Sequence, residues 1–173
     1  MLQAQRLVLI DALMDRGQSQ VRTLLLVLAG SMVLTLSAKV QVPFYPVPMT
    51  LQTLVVLLIG VAFGWRMGFA TVLAYLAQGA MGLPVFAGTP EKGLGLSYMA
   101  GPTGGYLVGF ALAAAVTGWL AERGLDRSAI GTAVAMVAGN VVIYACGLVW
   151  LSNFVGMEMN PILVHVFPPN GDA

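Results

Sequence analysis

The chain has 173 residues, of which 58% are hydrophobic and 9% charged, with a net charge of +1 and a mean hydropathy of +0.87. A soluble domain carries roughly 25% charged residues. So few charges cannot cover a water-facing surface, and the solvent this sequence is written for is lipid. A near-neutral chain without a clustered basic face gives nucleic acid nothing to hold, and one His (His165) with one Cys (Cys146) gives neither a metal cluster nor an intrachain disulfide.

Residues 1–20 carry Arg6, Asp11, Asp15 and Arg16 and lack the unbroken apolar core of a signal peptide. A membrane-crossing helix needs about 20 mainly apolar residues. Five stretches meet that length: 21–40, 49–65, 67–86, 103–121 and 129–151. Arg22 and Lys39 sit at the ends of the first, where they can snorkel to the interface. The span interiors carry no charge, and at that depth a helix satisfies its own backbone; the alternation of a membrane barrel is absent. The reading is an all-α, polytopic transmembrane helix bundle forming a single domain over 1–173.

Arginine and lysine set the orientation. With a cytoplasmic N-terminal segment 1–20, the inner side holds Arg6, Arg16, Arg22, Arg66, Arg123 and Arg127, and the outer side holds Lys39 and Lys92. The expected location is therefore the cell (inner) membrane, multi-pass. Inner connections are short, around Arg66 and over Glu122–Ser128. Outer ones are long and rich in Pro and Gly: Gln41–Pro48, Leu83–Pro102 and 152–173, the last predicted as an outer loop. Long loops on one side are where a scaffold usually carries function.

Small residues recur at four-residue spacing: Gly60, Gly64 and Gly68; Gly105, Gly109, Ala113, Thr117 and Ala121; Gly131, Ala135 and Gly139. Such rows allow close helix–helix approach in lipid. They serve either packing within the chain or docking of a partner.

No GxxxxGK[ST] loop, HExxH or GxSxG is present, and no Ser/His/Asp set, so no enzyme chemistry is predicted and no catalytic residue or metal ligand is assigned. The spans also lack the ionisable relay of a proton-coupled carrier. Energy for uphill transport would have to come from another subunit.

Binding chemistry gathers on the outer side. Val42–Thr53 is a proline-rich loop running into a helix start, with Phe44 and Tyr45 as aromatics and Thr50 as either a helix cap or a ligand contact. Gln52 lies one turn inside, and its amide can donate and accept at once, which suits a urea-like or amide-bearing ligand. Gly82–Leu96 contains Phe86, Gly88 and Lys92. Its glycines let the chain fold back over a pocket, and Lys92 pairs either with a ligand carboxylate or with Glu91 and solvent. Tyr98 adds an aromatic. Gly101–Tyr106 opens the fourth span with free N–H groups suited to an anion, or is a plain helix entry. Asn140, mid-span in the fifth helix, is either interhelical glue or a ligand contact. Asp172 ends the turn Phe167–Asp172 as a loop tip or cap.

The blocks Pro46–Leu54, Gly82–Gly88, Gly101–Tyr106 and Phe167–Asp172 resemble the signature blocks of the BioY family, the biotin S components of energy-coupling factor transporters. The resemblance covers residues 20–173. It implies a six-helix S-component fold, whose sixth helix is missing from this chain beyond Ala173, and a subunit that binds biotin from outside with high affinity. The implied partners are a transmembrane coupling subunit and a pair of ATP-binding-cassette ATPases, with biotin as ligand and no cofactor. The family's loop aspartate matches Asp172, and its third-loop contacts fall near Gly88–Lys92. The family's Ala-xxx-Ala docking pattern on the first helix is replaced here by Ala29 and Val33, with Ser31 and Thr35 as a small-residue alternative. Two other readings share the composition: an S component for a different vitamin, and a structural membrane protein without a small ligand.

Overall fold

The computed structural model describes residues 20–42 and 48–166. In chain order the elements are α1 (Gln20–Lys39), β1 (Gln41–Val42), β2 (Met49–Thr50), α2 (Gln52–Ala80), α3 (Gly95–Met99), α4 (Gly104–Glu122), a 3-10 turn at Leu125–Arg127, and α5 (Ala129–Val166). The two strands form a minimal antiparallel hairpin, with Gln41 opposite Thr50 and Val42 opposite Met49. Among the described residues, four helices are long and apolar enough to cross a membrane.

The sequence predicts five crossings, and the difference lies in α2. Its assignment runs unbroken from Gln52 to Ala80, yet Gly64 inside it has φ 76° and ψ 174°. That backbone is open to glycine and strained for other residues. The chain reverses there: a Cβ placed on Gly68 would stand 3.1 Å from the Cα of Gly60, eight residues back. In one straight helix that separation would be about 12 Å. The expected spans 49–65 and 67–86 are thus two antiparallel arms of α2, and the turn falls at Gly64 rather than Arg66. Glu122 stabilises it, accepting a 3.0 Å hydrogen bond at Oε1 from the backbone N–H of Trp65, one of the donors exposed by the broken helix.

Two other boundaries move. The second arm ends at Ala80, so Phe86, expected at the end of a span, lies in the loop that follows. The last helix continues to Val166, so 152–166, expected as outer loop, is helical and carries His165.

The small-residue rows are consumed inside the chain. Gly60 lies against Thr117 and Ala114, Gly109 against Ile143, Gly118 against Gly64 and Trp65, and Gly139 against Leu57 and Thr117. Without side chains in the way, backbones close to contact distance, and packing replaces the hydrophobic drive that lipid removes. On α1, Gly30, Ser31, Leu34, Ser37 and Ala38 are the buried positions. Ser31 accepts a 2.8 Å hydrogen bond from Gln78 Nε2 on α2, so the Ser31 position is already engaged within the bundle. An interhelical bond of this kind contributes about 0.6 kcal/mol. Ala29 and Val33 remain on the exposed face.

Candidate functional site

At the ends away from Gly64, the two arms of α2, α4 and α5 do not close on one another. Between them lies a cavity of about 240 Å³. Its walls come from the β2–α2 entry (Pro48, Met49, Thr50, Gln52, Thr53), the loop after α2 (Phe86, Ala87), Tyr98 on α3, the start of α4 (Thr103, Tyr106, Leu107, Phe110) and one face of α5 (Asn140, Ile143, Tyr144).

Two features make the cavity selective. The first is aromatic. Phe86 is fully buried, stacked on Tyr98 at 5.0 Å between centroids and edge-on to Tyr75 at 5.4 Å. It can sit so deep because Gly79 faces it; a Cβ there would strike the ring. Tyr106 and Tyr144 form a second edge-to-face pair at 6.1 Å. Aromatic walls of this kind suit a flat or bicyclic apolar solute.

The second feature is polar. Gln52 is 3% exposed, and among the described residues neither its Nε2 nor Asn140 Oδ1, from the same lining, makes a hydrogen bond within 3.5 Å. Leaving such a group unmet costs about 1–3 kcal/mol. One orphan is a donor and the other an acceptor, and both line the same cavity. A ligand bearing a carbonyl and an N–H supplies what each lacks.

The loop lining the cavity is tied down at three successive carbonyls. Val85 O accepts from Tyr75 Oη at 3.1 Å, and Ala87 O from Tyr98 Oη at 2.7 Å. Phe86 O accepts from Lys39 Nζ at 3.0 Å and from Thr89 Oγ1 at 2.7 Å. Burial pushes the Tyr98 phenol up from its ordinary pKa, so it remains a donor at neutral pH.

Of the ten candidates read from sequence, Thr50, Gln52, Phe86, Tyr98, Tyr106 and Asn140 line this cavity together. Gly88 and Lys92 do not reach it. They meet each other instead: Gly88, at φ +71°, carries the Lys92 methylenes over its Cα, and the Lys92 N–H donates to Gly88 O at 2.9 Å. Tyr45 and Asp172 lie outside the described residues. The sequence reading missed Phe110 and Tyr144, although each lies four residues after a candidate, Tyr106 and Asn140, on the same helical face. It missed Thr103 and Ile143 as well, and Lys39 had been read only as a snorkelling terminus.

Three comparisons bear on what this cavity holds. A model of the BioY family matches residues 11–170. A biotin transporter BioY of Thermotoga maritima is 42% identical over 135 residues, covering 78% of this chain and 77% of its own length. A probable biotin transporter BioY of Pyrococcus horikoshii is 37% identical over 129 residues, covering 75% and 74%. Among solved structures, the S-component for biotin from an ECF-type ABC transporter superposes with a TM-score of 0.70 at 25% identity, covering 90% of this chain and 85% of that one.

Proposed function

The chain belongs to the BioY family, and from that premise we propose that it captures biotin as the substrate-specificity subunit of an ECF-type uptake transporter. The observation that carries the reading to this molecule is that two buried amide atoms without a partner among the described residues, Gln52 Nε2 and Asn140 Oδ1, belong to residues lining one aromatic-walled cavity. Biotin presents a ureido carbonyl and N–H groups on a compact apolar bicycle. Gln52 donates to the carbonyl, Asn140 accepts from an N–H, and Phe86, Tyr98 and Tyr106 enclose the rings. Thr50, in β2, closes one side of the cavity. The carboxylate, on a flexible chain, points toward the outer loops, where Lys92, Gly88, Tyr45 and Asp172 are the remaining candidates.

The partners follow from what the spans lack. Their polar residues are amides and hydroxyls such as Ser31, Thr71, Gln78, Thr117 and Asn140, which bind without transducing energy. Transport therefore draws on a transmembrane coupling subunit and ATP-binding-cassette ATPases. Arg66 and Arg123 flank the Gly64 reversal, while Lys39 and Lys92 lie at the cavity end. We read that asymmetry, with arginine in excess at the reversal, as favouring a cytoplasmic reversal and a cavity open to the outer side.

Calorimetric titration of the purified protein in detergent tests the function. Biotin should give saturable binding that excess thiamine or riboflavin does not displace. A folded preparation that releases no heat with biotin, or that exchanges it for another vitamin, overturns the reading.

A further inference from the structure

We propose that Lys39 is a positioning residue for the cavity: its ammonium fastens the segment 86–89 to the end of α1 and never touches the ligand. This rests on the cavity described above being the ligand site. An ammonium has three N–H donors and no acceptor. Lys39 Nζ has three oxygen partners: Phe86 O at 3.0 Å, Thr89 O at 3.0 Å and Thr89 Oγ1 at 3.1 Å. Among the described residues these three oxygens match its three donors, and it is not among the cavity-lining residues. The arrangement is also self-consistent, because Thr89 Oγ1 accepts from Lys39 while donating its own proton to Phe86 O.

The position of the knot gives it a consequence for binding. Phe86 and Ala87 form a wall of the cavity, and Phe86 is gripped from its far side by Gly79, Tyr75 and Tyr98. The ring is thus held by packing and the backbone by the charge at the end of α1, nearly fifty residues away in sequence. Charge-assisted hydrogen bonds are roughly twice as strong as neutral ones. Lys39 is thus a clamp on the protein, a role distinct from the carboxylate pairing for which Lys92 remains a candidate.

The test compares Lys39→Met, which keeps the apolar stem and removes the donors, with Lys39→Arg, which keeps the charge and donors. Release of biotin and of biotin amide is measured by displacement, alongside amide hydrogen exchange of residues 85–89 in the unliganded protein. Lys39→Met should release both ligands faster by the same factor, about tenfold, the scale of one charge-assisted bond. Exchange at 85–89 should quicken while 57–68, at the other end of the bundle, stays as in wild type, and Lys39→Arg should recover most of both effects. A loss for biotin alone would mean direct carboxylate contact and overturn the proposal, as would unchanged exchange at 85–89. Thr89→Val removes one of the three oxygens from the loop side and should shift both readouts in the same direction by less, so the proposal stays exposed if Lys39→Met does not fold. Failure of wild type to bind either ligand would remove the proposed function, while the exchange measurement would still decide whether the clamp exists.

Discussion

Around Gly64, three stretches of backbone meet: Gly60 and Gly68 on the two arms of α2, and Gly118 on α4 against Gly64 and Trp65. Away from that turn, Gln52 and Asn140 line one cavity together with Phe86, Tyr98, Tyr106 and Tyr144. The Gly64 end, which we read as the inner one, uses residues with almost no side chain, and it closes. The cavity end, which we read as the outer one, uses large rings and amides, and it stays open. In lipid, where apolar surface is not driven together, closure comes from close packing and interhelical hydrogen bonds. A binding cavity then results from placing bulk at one end of helices that glycine draws together at the other.

The largest expected effect comes from adding bulk where the bundle closes. Gly118→Leu would place a Cβ within 2.5 Å of Gly64 C and 2.7 Å of Trp65 Cα, both backbone atoms that cannot rotate away. Overpacking typically costs about 1–3 kcal/mol and more where nothing yields. We expect little monodisperse protein by size-exclusion chromatography in detergent. A well-folded Gly118→Leu protein would show that the inner end is not closed by backbone contact.

Next is the open end. Gln52→Leu should weaken biotin about 10–100-fold, the value of one buried hydrogen bond to ligand at about 1–3 kcal/mol. The same change removes a buried donor without a partner among the described residues, so the unliganded protein should melt at a higher temperature. Opposite movements of affinity and stability are the signature of a group placed for function. If both fall together, Gln52 supports the fold instead, and the contrast between the two ends weakens.

This contrast was half visible in the sequence. Hydropathy and charge placement located the crossings, because expelling charge from lipid is a constraint on every residue of a span. Gln52 and Asn140 stood out for the same reason, as amides where lipid tolerates few. Gly64 was legible as a small residue but not as the reversal, because its neighbour Arg66 offers a stronger topological signal than a backbone angle can. The extension of α5 through 152–166 was hidden because 152–173, rich in Pro and Gly, reads as an outer loop, yet the helix continues to Val166. Lys39 was the least legible. Its partners are carbonyls, which every residue possesses, and the loop that brings them near is 47 to 50 residues away.

The smallest expected effect tests whether the two ends are independent. Glu122→Ala removes the acceptor for the Trp65 N–H at the reversal and should lower stability by about 1 kcal/mol, the usual value of a helix N-terminal cap. Glu122→Gln keeps an oxygen and should lose less. Thermal melts in detergent measure the first quantity, and biotin titration the second, which should not move for either variant. The reasoning is mechanical: the Gly64 turn and the cavity share helices but no side chain, and the packing of Gly60, Thr117 and Gly139 between them is backbone-tight. Should the biotin affinity of Glu122→Ala fall with its melting temperature, the arms of α2 would be transmitting the loosened turn to Gln52, and the inner end would have to be counted as part of the binding site.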